Sequence, residues 1–257
     1  MDGCIVELRN VTKSFGKTRA LDAVNFQVCP TEVVGLIGDN GAGKSTLIKI
    51  ISGVHAPDSG EIYVHGKRME HWSVAAARQS GIETVYQDKA LTEQQTIARN
   101  IFMGRERTGF LGFLKTREQH AEAERLMRSI GFTSRVFSPD SVVATLSGGE
   151  KQGVAISRAL YFQANLIILD EPTTALSLTE SEKVFGFVRT IKAQGCSAIF
   201  ISHNIYHTYD VADRFVILDR GKVVLETTKA EVPAAEQLVK ALQTIARTGS
   251  HAAQPAS

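Results

Sequence analysis

The run GDNGAGKST, residues 38–46, constrains this chain more than any other. It carries the spacing Gly-x4-Gly-Lys-Ser through Gly38, Gly43, Lys44 and Ser45, between an apolar run, VVGLIG at 33–38, and a helical pattern at 44–52. Strand, glycine-rich turn and helix together are the context in which such a loop cradles phosphate. Glycines let successive backbone N–H groups face one point, and the dipole of the helix that follows adds to the pull on an anion. Lys44 supplies a point charge for β- and γ-phosphates, and the Ser45 hydroxyl a ligand for Mg²⁺.

Further apolar runs, LIILD (166–170), AIFIS (198–202) and FVILD (215–219), read as parallel strands buried on both faces. The first 32 residues and 61–66 show shorter strand-like runs punctuated by Gly and Pro, as in an antiparallel sheet beside the core. From 87 to 146 the pattern turns helical, with a good stretch at 117–130 and a Gly/Phe-rich break, TGFLGFL. The expected fold is α/β: a P-loop NTPase (RecA-like) core with an antiparallel β subdomain and an inserted helical lobe at about 88–160. One unit is expected over 1–247, with a disordered tail at 248–257.

LIILDE ends a buried strand on two acids, and a strand end beside a phosphate loop is where α/β folds place ligand chemistry. Asp170 is expected to hold Mg²⁺ and Glu171 to orient or deprotonate the attacking water. Pro172 should restrict Glu171 to extended backbone. In SGGE, Ser147 is placed as an N-cap with Glu150 as its capping-box partner. Gly148 and Gly149 each weaken a first turn by roughly 1 kcal/mol, which makes sense where backbone must approach a ligand closely.

These motifs resemble the ATP-binding subunits of ABC transporters, whose signature sequence matches LSGGE at 146–150, and the resemblance covers nearly the whole chain. It implies that Gly38, Asn40, Gly41, Gly43, Lys44, Ser45 and Thr46 bind ATP, and that Phe15 in KSFG stacks on adenine. Gln87 in VYQD corresponds to a glutamine that contacts nucleotide and Mg²⁺, and His203 in ISHN to a histidine that assists Glu171. Two copies would meet head to tail, Ser147, Gly148 and Gly149 of one facing the γ-phosphate held by the other. Where most members carry an aspartate after the glutamate segment (SALD), this chain reads TALS, with Ser177.

ETVYQD (83–88), ARNIFMGRE (98–106) and 201–222 resemble the single-domain ATPases of monosaccharide importers of the ribose, xylose and fructose type. That implies a homodimer on integral-membrane permease subunits, fed indirectly by a periplasmic sugar-binding protein, at the cytoplasmic face of a bacterial inner membrane. An ABC ATPase for another small solute, a separate-subunit exporter, and an ATP-gated binding module without turnover stay open beside it. No apolar run reaches the about 18 to 20 residues of a membrane helix, and a net charge of +2 is too small to argue for a nucleic-acid partner, so none is expected. Cys4, Cys29 and Cys196 are odd in number, lack metal-ligand spacing and read as isolated reduced thiols.

Overall fold

The computed structural model describes residues 3–86, 90–131 and 138–248. Strands β1 (Val6–Phe15) and β2 (Thr18–Val28) form a hairpin, and β1 pairs on its other edge with β4 (Ser59–Val64), which continues to the short β5 (Lys67–Arg68). All of these pairs are antiparallel, in the order β2-β1-β4-β5. Val6, Leu8 and Val11 point inward from β1 while Glu7, Arg9 and Asn10 are less buried or exposed, the alternation of a sheet with one wet face.

The second sheet follows from the continuous apolar runs. Strands β3 (Val33–Ile37), β6 (Ile82–Val85), β7 (Leu166–Asp170), β8 (Ser197–Ile201), β9 (Arg214–Asp219) and β10 (Lys222–Thr228) lie in the order β10-β9-β3-β8-β7-β6. The β9-β3-β8-β7-β6 block is parallel, and β10 folds back antiparallel on β9. Successive side chains feed opposite layers. Leu166 and Ile168 of β7, Ile199 and Ile201 of β8, and Val216 and Leu218 of β9 enter the core shared with the antiparallel sheet and helix α1 (Lys44–Ile51). Ile167, Leu169, Ala198, Phe200, Phe215 and Ile217 enter the other core, shared with the helices.

On that second face lie α3 (Ile97–Phe102), α4 (Thr116–Ser129), α5 (Gly148–Tyr161), α6 (Leu178–Ala193), α7 (Ile205–Val211) and α8 (Ala235–Thr248), while α2 (Val74–Gln79) packs beside β6. Phe102, Leu126, Val154 and Phe185 belong to one contiguous core with the sheet, so α3 to α5 do not bury a separate centre of their own. Gly35 sits where α7 crosses β3: a Cβ there would run into Thr208 and stand 3.1 Å from Ala212.

Two features depart from the reading of isolated residues. Arg214 is buried and uses its whole guanidinium, donating to both Glu32 carboxylate oxygens (2.7 and 3.0 Å), to Glu226 (2.7 Å) and to the Gln27 carbonyl (2.8 Å). It thereby ties the end of β2 to β9 and β10. The cysteines were expected to be isolated, but Cys4 and Cys29 flank the β1/β2 pairing and their Sγ atoms lie 3.8 Å apart. Burial and the neighbouring Glu32 push the Cys29 thiol up to about 11. Cys196 is buried, its thiol pushed up to about 12 by desolvation.

Candidate functional site

The loop between β3 and α1 brings the phosphate-cradle residues to the C-terminal end of the parallel sheet. Gly43 is the N-cap of α1 with φ of 109°, a left-handed conformation open to glycine, and it has no side chain to accept from the first N–H groups of the helix. A Cβ on Gly43 would stand 2.6 Å from the Ala20 carbonyl and 2.9 Å from Leu21, so β2 presses the loop into place. Gly41 is also left-handed (φ 86°) with open space around it. Asn40 and Ser45 are exposed and Thr46 is half-buried. Lys44 is buried, its Nζ donating to the carbonyls of Gly38 (2.5 Å) and Asp39 (3.0 Å). Desolvation lowers its pKa, against the raising charges of Glu171, Asp39 and Asp170.

Asp170 and Glu171 stand at the end of β7 within the same electrostatic neighbourhood. Burial raises the Asp170 carboxyl, the Glu171 charge adds to this, and Lys44 and Lys49 pull it back. Glu171 is not extended, as the following proline suggested; its φ is +49°. The reason lies in its bonds. Its N–H continues the ladder to the Ile201 carbonyl (3.0 Å) while its own carbonyl accepts from Thr174 (3.2 Å), turning the chain sharply out of the sheet. Such backbone costs about 1–3 kcal/mol and persists where the surroundings over-determine it.

The turn aims the Glu171 carboxylate across the sheet end at the segment after β8. It accepts from the His203 N–H (3.1 Å) and from Thr174 Oγ1 (3.0 Å), and its Oε2 lies 2.9 Å from His203 Nδ1. The His203 ring is otherwise open to solvent, with 69% of its side chain exposed against 17% for Glu171. Lys44, Asp170, Glu171 and His203 therefore converge, as the motifs led one to expect. Gln87 lies outside the described residues.

The SGGE turn forms a full capping box: Ser147 Oγ accepts from the Glu150 N–H (3.4 Å) and Glu150 accepts from the Ser147 N–H (2.9 Å). Ser147 and Gly149 bond to Glu150 and Glu180, not to Lys44, Asp170 or Glu171. The two glycines also have an intramolecular reason. A Cβ on Gly148 would strike Leu176, and one on Gly149 would stand 3.0 Å from the Glu180 carbonyl. Phe15 closes β1 at the tip of the hairpin, 46% exposed, with the His55 ring edge-on at 5.3 Å. It is not a core aromatic.

A model of the ABC transporter family matches residues 21–174, more than half of the chain. The chain belongs to the ABC transporter ATP-binding family. Over 227 residues it is 46% identical to the xylose/arabinose import ATP-binding protein of Sulfolobus acidocaldarius, covering 88% of this chain and 89% of the relative. It is 41% identical to the fructose import ATP-binding protein of Rhizobium meliloti, covering 85% and 86%. A ribose import ATP-binding protein of Rubrobacter xylanophilus is 40% identical over 86% of this chain, which spans 44% of that longer relative. Among solved structures, a nucleotide-free ATP-binding cassette superposes with a TM-score of 0.77 at 25% identity, covering 94% of this chain and 96% of the other. A dimeric cassette in a post-hydrolysis state with ADP and Pi gives 0.71 at 27%, covering 87% and 98%. The chain is thus an ATPase cassette of α/β architecture.

Within this ABC cassette, two site features escaped the motif reading. Ser177, at the position where most family members have an aspartate, spends its hydroxyl inside its own chain as the N-cap of α6. And α8 reaches the cradle: Leu242, Gln243 and Ile245 line a crevice of about 620 Å³ with Asn40 and His203. The amphipathic spacing of 235–245 was the available signal for that helix.

Proposed function

We propose that this chain hydrolyses ATP to energise import of a simple sugar through separate membrane permease subunits, with two copies closing head to tail around nucleotide. The observation that carries the chemistry is the convergence of Lys44, Asp170 and the His203-held Glu171 at one sheet end. The backbone N–H groups from Gly38 to Thr46 and the Lys44 ammonium would hold the phosphates, Asn40 and Gly41 shaping the loop, and Phe15 would stack on the base. Glu171 takes the proton of the attacking water, and His203 fixes the orientation of that carboxylate.

The exposed Ser45 hydroxyl and the Asp170 carboxylate are hard oxygen donors that suit Mg²⁺, and burial together with the Glu171 charge raises the Asp170 carboxyl, a shift that a nearby cation opposes. Among the described residues no cluster of three or more His, Cys, Asp or Glu could hold a metal by itself, so the ion would share its ligands with the phosphates. Gln87 is assigned to the same ion and nucleotide by resemblance. When bound, Mg²⁺ neutralises charge on the transferring phosphoryl group. Ser147, Gly148 and Gly149 would contact the γ-phosphate held by the second copy.

Import is favoured over export by two relatives alike along most of their length whose names specify import of xylose/arabinose and of fructose. No helix among the described residues is long and apolar enough to cross a membrane. The chain would bind its permease at the cytoplasmic face of a bacterial inner membrane. A periplasmic sugar-binding protein would deliver the cargo, and residues 1–247 act as one ATPase unit. The test is uptake of a panel of radiolabelled monosaccharides in cells lacking the chain. Wild-type chain should restore uptake of one sugar and Glu171→Gln should not. Restoration by both, or by neither across the panel, would overturn sugar import.

A further inference from the structure

One side chain joins the first turns of α5 and α6. Glu180 Oε2 accepts from the Ser177 N–H and the Ser177 hydroxyl (both 3.0 Å), and its Oε1 accepts from the Gly149 N–H (3.4 Å). Ser177 Oγ accepts in return from the Glu180 N–H at 3.3 Å. Contact is close enough that a Cβ on Gly149 would stand 3.2 Å from that of Glu180, and a Lys183–Glu150 ion pair at 3.4 Å adds a second tie between the same helices. These donors hold the Glu180 carboxyl down at about 2, so both oxygens stay acceptors at any physiological pH.

The segment that carries Glu180 begins at the catalytic acid. Thr174 bonds to Glu171 through both its N–H and its hydroxyl, Leu176 N–H bonds to the Thr173 carbonyl, and Ser177 follows directly. A displacement of the Glu171 turn therefore has a short bonded path, through Ser177 and Glu180, to the N–H of Gly149.

We propose that Glu180 is a positioning residue that fixes the SGGE turn to the segment running from Glu171, so that the surface a copy offers to its partner's nucleotide follows the state of its own site. The proposal rests on the two-copy reading above. Two acceptor oxygens are essential to it, one for each helix. Glutamine at 180 keeps a capping box for α6 but has one acceptor oxygen, and its amide nitrogen cannot accept from Gly149 or Ser177.

The experiment titrates ATP against full-length chain carrying Glu171→Gln, with and without Glu180→Gln, following mass by sedimentation. Melting temperature and the affinity of the single chain for a fluorescent ATP analogue are read in parallel. Expected is a roughly tenfold rise in the ATP needed for half-maximal dimer on losing one charge-assisted bond at the interface-forming turn. Nucleotide affinity of the single chain should not change. Dimer formation at the parent's ATP concentration would make Glu180 a helix cap and nothing more. Closure at lower ATP would show that the carboxylate opposes assembly, and an equal loss of single-chain affinity would mean general damage; each overturns the proposal. If the parent stays single at saturating ATP, the two-copy reading falls and takes this one with it.

Discussion

On the proposed reading Lys44 holds nucleotide and Glu171 activates water, two roles that substitution can separate. Removing the Lys44 ammonium deletes a charged donor in a buried loop, so Lys44→Ala should weaken ATP binding by about 10- to 100-fold. Glu171→Gln keeps the side-chain shape, so binding should persist while turnover falls by about 10² to 10⁴. Equilibrium binding with a fluorescent analogue and steady-state phosphate release distinguish the two outcomes. Both positions stand out in the sequence through glycine spacing and a strand-end acid pair, and the fold brings them into one electrostatic neighbourhood. The posture of Glu171 is not legible in the sequence. Proline at 172 argues for extended backbone from local sterics alone, and two nonlocal bonds, to Ile201 and His203, outweigh that preference. For Gly148 and Gly149 the sequence suggests close approach to a ligand but does not show that Leu176 and Glu180 press on them.

At the scale of elements, Arg214 is the test. Its guanidinium, 11% exposed, joins Glu32 and Glu226 and the end of β2, so Arg214→Ala strands the Glu32 carboxylate, itself 15% exposed. The expected loss is about 3–5 kcal/mol in denaturant unfolding, with no comparable change in ATP affinity once the chain is folded. The strands β3, β7, β8 and β9 announce themselves as unbroken apolar runs because both of their faces are covered. The edge strand β6 hides, since it is four residues long and buries Glu83 near Arg78 and Arg105. The pairing of Cys4 with Cys29 hides for a different reason: contacts across 25 residues depend on hairpin register, which bulges in β1 and β2 shift.

For the whole molecule, the order of the two motifs along the chain matters less than where the fold puts them. The cradle and the acids share one sheet end, while SGGE is fastened to the start of α6 through the Gly149–Glu180 bond. Solved relatives include a dimeric cassette with ADP and Pi. On the proposed head-to-tail reading, each complete site is built from two chains. Mixing two inactive variants tests this most directly. Lys44→Ala lacks a cradle but keeps its SGGE turn, and Ser147→Arg keeps its cradle but blocks that turn with bulk and charge. Neither should hydrolyse ATP alone, and phosphate release should return when they are combined, because one of the two sites in a mixed dimer is then whole. A mixture as inactive as its components would contradict the account.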